Sequence, residues 1–289
     1  MRQRLFWVIA AGAVLVVILA LVVRNQIRVY QGRQARASQQ RQVTDDRAQR
    51  QLLFDMLQPV ALANCRLERF GEPNDGGYLM CGNLLAGIES AYSYGIAGYD
   101  KWGCDISTAL DVPVHQYDCF DPTQPACPDG KTVFHLECVA GRPATIEGRP
   151  FDTIERQVAK NGDRAKRLAL KIDVEGAEWD SLLSASDEVL QQIDQMAIEF
   201  HWVLDQSRPV QDERYARVVR RLKEFFEIAH IHFNNASCIA GLDPFPTWAY
   251  EVLFVSKRLA VVDASARPVG LHPLDAPNNP AFEDCQPIN

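Results

Sequence analysis

Between Ile88 and Lys257 the chain alternates strand-like and helix-like segments, and few folds accommodate that pattern. "IESAYSYGIAG" reads as a strand rising into a glycine turn, and "WGCDISTAL" as the helix after it. "VPVHQYD" and "KTVFHLECV" follow as strands, and "PFDTIERQVAKNG" as a helix closing on Asn161-Gly162. "RLALKID" is a fourth strand, with Leu168, Leu170 and Ile172 alternating as a half-buried strand does, and "AEWDSLLSAS" opens the next helix. "IDQMAIEFHW" is a fifth strand. "DERYARVVRRLKEFFE" is an amphipathic helix with Val218, Val219, Leu222 and Phe225 at helical spacing. "IAHIHF" and "AYEVLFVSK" complete the set as late strands able to pair antiparallel. Strands alternating with helices imply an α/β fold on a largely parallel sheet. Upstream, Asn74-Asp75-Gly76-Gly77 between two short runs predicts a hairpin or tight loop.

The first 50 residues do not belong to that pattern. Leu5 to Val23 is 19 residues without a charge, about the ~20 needed to cross a hydrocarbon core. Arg24, Asn25 and Gln26 follow where a signal peptide would place small residues, so the run is an uncleaved signal anchor. The expected organisation is a flank over 1–4, a transmembrane helix over 5–23, a basic Gln/Arg-rich stalk over 24–51, a globular domain over 52–258 and a loosely packed, Pro-rich tail over 259–289.

Charge and cysteines bear on location. The first 50 residues carry nine Arg and two Asp, a net +7, which leaves −14 on the remainder of a chain whose total is −7. An acidic body excludes nucleic acid as partner, because phosphate needs the opposite field. Arg2 and Arg4 stand before the span, and Arg24, Arg28, Arg33, Arg36 and Arg41 after it, which pulls the body towards the cytosol. All eight cysteines lie after the stalk and pull it towards a lumenal or extracytoplasmic side. The expectation is therefore a lumenal or extracytoplasmic body, and a "NAS" sequon at Asn235 points the same way.

The chemistry concentrates after the strands. Gly95 and Gly98 in "YSYGIAG" form a glycine turn between strand and helix, without the third glycine of a dinucleotide fingerprint or the Lys of a P-loop. Asp118 closes the second strand 23 residues after Gly95, where an acid meets ribose hydroxyls in nucleoside-binding α/β folds, and Asp121 competes for the role. The fourth strand ends in Asp173, Glu175, Glu178 and Asp180. Acids there either cap a helix or line a ligand crevice. No CxxC occurs, and Asp173, Glu199 and Asn234 offer oxygen ligands whose geometry spacing does not supply, so no metal is assigned.

"FDTIERQVAKNGDRAKRLALKIDVEGAEWDSLL…IDQMAIEFH" resembles the heart of the FkbM-type S-adenosylmethionine-dependent methyltransferases, with its strand ending "KIDVEGAE" and a later strand ending E-x-H. "NDGGYLMC", "YSYGIAG" and "YDCFDP" resemble a membrane-anchored, methyltransferase-like branch of that superfamily, so that the likeness covers about Cys65 to Lys257. It implies a Rossmann-like class I sheet, mostly parallel with an antiparallel ending, and S-adenosyl-L-methionine as cofactor. Cofactor contacts fall on Tyr94, Gly95, Gly98, Asp118 and Asp173, with Tyr94 near the place of the family's usual acid. His201 becomes the general base of an O-methyl transfer, oriented by Glu199 or Glu175, while Glu178 faces solvent or caps the helix. The acceptor, whether glycan, lipid or small metabolite, stays open. Two other readings share the layout. One is a type II membrane glycosyltransferase, for which only "DVE" at 173–175 approximates the D-x-D metal motif. The other is a tethered binding domain of this fold without turnover.

Overall fold

The computed structural model describes residues 46–201, 212–238, 242–268 and 270–285, together with Arg24, Arg28, Gln31 and Gln34. The expected span over 5–23 and most of the stalk lie outside these residues. No helix among the described residues is long and apolar enough to cross a membrane.

From Gln49 onward the chain forms one compact unit. A lead-in helix, α1 (residues 46–56), places Leu53 and Leu57 in the core. A hairpin follows, β1 (Leu67–Gly71) and β2 (Gly77–Cys81), as the Asn-Asp-Gly-Gly turn foretells. The alternating pattern then becomes β3 (Ser90–Tyr94), α2 (Lys101–Leu110), β4 (Pro113–Tyr117) and β5 (Lys131–His135). After a small sheet come α3 (Ile154–Lys160), β9 (Leu168–Ile172), α4 (Glu178–Ser184), α5 (Asp187–Gln192), β10 (Ile193–His201), α6 (Asp212–Phe225), β11 (Phe226–Phe233) and β12 (Ala249–Ser256).

The main sheet has seven strands in the order β11-β12-β10-β9-β3-β4-β5. Neighbours pair parallel, except that β12 runs antiparallel to both β10 and β11. This is a mixed α/β fold with a mostly parallel sheet and an antiparallel ending. Strand order reverses between β3 and β9, and the carboxyl ends flanking such a switch point form a ligand crevice.

Two expectations need correction. "KTVFHLECV" is not one strand: β5 ends at His135, and Cys138–Val139 leaves the main sheet as β6. It joins β7 (Ala144–Ile146) and β8 (Arg149–Asp152) in a three-stranded sheet of order β6-β8-β7. The stretch after Arg258 is also not loose. Asn278 Nδ2 donates to Glu251 Oε1 at 2.8 Å, Asn74 Nδ2 donates to Pro277 O at 2.8 Å, and a His230–Asp275 contact of 2.8 Å adds a third tie. Polar side chains on the outer strands need partners once buried, and the tail supplies them.

All eight cysteines are paired, as Cys65–Cys81, Cys104–Cys127, Cys119–Cys138 and Cys238–Cys285. Asn235 of the sequon is only 4% exposed. Its Nδ2 donates to the carbonyls of Asn279, Phe282 and Glu283, so it holds the tail and is not a glycan acceptor.

Candidate active site

The ends of β3 and β9 touch. Gly95 has φ +73, and a Cβ placed there would collide with the carbonyl oxygen of Asp173. Only glycine meets both demands, which explains the glycine after β3. Lys171 reinforces the junction from within β9: its buried Nζ donates to Gly95 O at 2.6 Å and lies 3.4 Å from Asp173 Oδ2.

A cavity of about 310 Å³ opens beside this junction. Gly95, Asp118, Asp173 and Glu175 line one side, and Tyr117, Phe120, Val139, Phe151 and Val174 form apolar walls. No Lys or Arg is among its described lining residues. The Cys119–Cys138 disulfide ties the turn after β4 to β6, and thereby fixes the wall that carries Phe120 and Val139.

Asp118 reaches the pocket in a different role from the one expected. Its Oδ2 accepts from Ile96 N at 3.1 Å and Ala97 N at 2.9 Å, while Oδ1 accepts from Phe120 N at 2.7 Å and Asp121 N at 3.1 Å. Four backbone donors fill a carboxylate's acceptor capacity. Asp118 therefore shapes the glycine loop and the turn that borders it, and is not a free acceptor for ribose hydroxyls. Asp121 packs beside Gly98, and neither lines the cavity. The Tyr94 side chain does not reach the pocket as expected: its ring is buried and stacked on Tyr92 and Tyr117, so only its backbone serves the site.

On the side of Asp173 away from Gly95, a polar cluster lies under the hairpin. Odd-numbered residues of β9 and β10 share one sheet face, which brings Asp173, Glu199 and His201 together. Their ligand atoms lie within 4.8 Å of one another. The Tyr78 hydroxyl of β2 sits between the carboxylates, 3.1 Å from Asp173 Oδ2 and 3.4 Å from Glu199 Oε2. Asn234, just after β11, donates to Glu199 Oε1 at 2.8 Å. Burial, then the charges of Asp173 and Glu251, push the Glu199 carboxyl well above its ordinary range.

The surroundings of His201 work against the general-base role expected of it. Burial alone would lower its pKa, but the Glu178 hydrogen-bonding contact and the charges of Glu178, Glu199 and Asp173 outweigh burial and lift it to about 9. Glu178 is likewise not a solvent-facing acid: it is fully buried, its Oε1 accepting from His201 N at 2.6 Å and its Oε2 from Gly176 N at 2.8 Å. Glu175 is the exposed member, with its side chain 77% accessible and Oε2 3.6 Å from His201 Nε2. The site residues missed from sequence are Tyr78, Lys171, Phe120, Val139 and Phe151. The one available cue was Lys171, a charge inside an apolar strand.

Comparison with known families and with curated proteins yields no match, so the FkbM-type likeness rests on the sequence motifs alone. Among solved structures, a Methanococcus jannaschii fibrillarin pre-rRNA processing protein aligns at a TM-score of 0.35 and 10% identity, over 60% of this chain and 69% of its own. A likeness that distant carries no weight, and the site stands on its own geometry.

Proposed function

We propose that this protein is an S-adenosylmethionine-dependent O-methyltransferase, tethered to a membrane by its N-terminal span with its body on the extracytoplasmic side. The observation that carries the reading is the Gly95–Asp173 junction, which joins an acid-lined, partly apolar pocket to the polar cluster at the sheet's switch point. The residues fit the cofactor's chemistry. Apolar walls suit a nucleobase, and Asp173 and Glu175 complement a positive sulfonium. A sugar nucleotide would instead set its diphosphate against carboxylates without a Lys or Arg among the described lining residues. Four paired disulfides support an oxidising compartment.

S-adenosylmethionine, when bound, supplies an electrophilic methyl group on its sulfur. Asp118 and Lys171 hold the loop and strand ends that shape its seat. Tyr78 and Asn234 fix the carboxylates of Asp173 and Glu199 at the acceptor side. Glu175, on the pocket wall and open to water, takes the proton that the acceptor hydroxyl loses as its oxygen gains the methyl group. The sulfur keeps the electron pair of the broken S–C bond. An in-line displacement of this kind depends on alignment, which the rigid strand ends supply.

Calorimetric titration of the full chain with S-adenosylmethionine, and separately with a uridine diphosphate sugar, tests the reading. Saturable binding of the first alone is expected. Asp118→Ala should weaken it by about 1–3 kcal/mol, because four loop and turn donors lose their acceptor. Binding of the sugar nucleotide alone would replace the reading with the glycosyltransferase one. Binding of neither would leave the pocket without this ligand.

A further inference from the structure

The cluster beside the pocket holds donors whose partners are incomplete. Tyr78 lies against Asp173 Oδ2 and Glu199 Oε2, and Asn234 donates to Glu199 Oε1. Asp173 Oδ1, the remaining capacity of Glu199 Oε1, and His201 Nε2 face one another. From His201 Nε2 the distances are 3.8 Å to Asp173 Oδ1 and 3.6 Å to Glu199 Oε1, beyond hydrogen-bond reach. The imidazole is only 5% exposed, and its Nδ1 stands 3.5 Å from Glu178 Oε1. Nε2 thus faces two carboxylate oxygens without a direct bond to either. Donors that share a cation at about 2.0–2.2 Å stand about 3.0–3.5 Å from one another, so the three atoms, now within 4.8 Å of one another, would draw together around the ion.

We propose that Asp173, Glu199 and His201 bind one divalent cation with mixed carboxylate and imidazole coordination, of the class of Mn²⁺ or Zn²⁺. The ion displaces the protons that the site otherwise favours on His201 and Glu199; two carboxylates then neutralise its charge, and imidazole selects against Ca²⁺ and Mg²⁺, which prefer all-oxygen shells. Tyr78 and Asn234 form the outer ring of hydrogen bonds that orients the carboxylate ligands. Glu175 Oε2, 3.6 Å from His201 Nε2, stands on the solvent side. Asp173 and Glu175 also line the pocket, so an ion held here would lie within reach of the acceptor oxygen of the proposed reaction. That role rests on the methyltransferase reading; the binding of the ion does not.

The test is titration of Mn²⁺ into the full chain after chelator treatment and dialysis, with free ion read by electron paramagnetic resonance. One saturable site per chain is expected, weakened tenfold or more by Asp173→Asn and by Glu199→Gln. Asp180→Asn, an exposed acid on the next helix, should change affinity by less than twofold. Absence of a saturable site up to about 1 mM, the weak end of specific affinity, overturns the proposal. So does affinity unchanged in both ligand variants. If a variant fails to fold, thermal unfolding of the unmodified chain still reads the site: Tm should rise with Mn²⁺ and saturate, and no rise counts against it. S-adenosylmethionine titrated into the metal-free chain separates the two readings. Cofactor binding without a Mn²⁺ site removes the cation and leaves the methyltransferase. A Mn²⁺ site without cofactor binding does the reverse.

Discussion

Strands β9 and β10 present two faces of opposite character. Leu168, Leu170, Ile172, Met196, Ile198 and Phe200 all point into one apolar core, beneath Trp179, Leu182 and Tyr215. On the other face Ala169 and Ala197 join a second core near Met80 and Trp102, and towards the carboxyl end the residues become Lys171, Asp173, Glu199 and His201. The apolar face is closed by helices that need only shape and hydrophobicity. The polar face is closed by the β1–β2 hairpin and the C-terminal tail, whose Tyr78 and Asn278 supply specific hydrogen bonds. One strand thus serves stability with its even residues and chemistry with its odd ones. Substitutions should separate the two faces.

The largest loss of stability should come from the apolar face. Leu170→Ala removes a fully buried side chain and should cost about 2–5 kcal/mol in chemical denaturation, the range for cavity-forming core truncations. Cofactor affinity per folded molecule should stay within twofold. A large affinity loss at unchanged stability would erase the distinction between the faces.

The cover of the polar face comes next. Cys238 and Cys285 are 47 positions apart, and their disulfide clamps the tail against β11. Replacing both by Ser should cost about 2–4 kcal/mol through the freed unfolded chain, and should expose residues 259–285 to limited proteolysis. A tail that stays protected would mean that its hydrogen bonds hold it without the clamp.

How far the sequence discloses this arrangement depends on the range of each interaction. The main strands are legible because alternation is local, and Val218, Val219 and Leu222 mark α6 for the same reason. The small sheet of β6, β7 and β8 is not, since strands of two to four residues carry no period. The tail's partners lie across the chain: Asn74 meets Pro277 and Asp75 meets Asn278, 203 positions apart in each case. No local pattern encodes such a pairing. Within the site, position was easier to read than role. Asp118 and Asp173 fall at the strand ends expected, but two of the four backbone donors around Asp118, Ile96 N and Ala97 N, arise only when β3 and β4 lie side by side. Glu178 looks like an exposed first-turn acid until β10 brings His201 N onto it. Tyr94 alternates correctly, and the aromatic stack that buries it joins Tyr92 of its own strand to Tyr117 of β4.

A pH titration should show a smaller effect at the far end of the polar face. His232 is buried, which would lower its pKa, but its Glu251 contact and the charges of Glu251, Asp275 and Asp284 outweigh this and raise it to about 9. A folded-state pKa above the unfolded value of 6.5 means stability that is full below pH 6.5 and lost as pH rises through about 9. The loss attributable to this ring should be roughly 1–3 kcal/mol. Melting curves between pH 6 and 10 should show a shallower alkaline fall for His232→Gln than for the unmodified chain. Parallel curves would place the titration elsewhere.

The smallest stability effect belongs to the residue where pocket and cluster meet. Asp173→Asn keeps the side chain's shape and removes its charge. The Tyr78 hydroxyl retains an oxygen acceptor, and the Gly95 contact involves only the Asp173 backbone, so neither contact requires unfolding. Lys171 keeps its bond to Gly95 O at 2.6 Å and loses only its charge partner at 3.4 Å. The melting temperature should therefore shift by no more than about 1 kcal/mol implies, the ordinary cost of a lost cap or neutral contact. In the proposed reaction, methyl transfer should fall roughly tenfold or more, since a carboxylate placed beside a sulfonium would act on binding and on the transition state. Paired with Leu170→Ala, this variant gives the opposite signature from one strand: fold kept and function lost, against stability lost and the site kept. If Asp173→Asn unfolds the domain, or leaves cofactor binding and turnover untouched, the acids after β9 hold the helix and the strand ends, and the polar face is structural like its reverse.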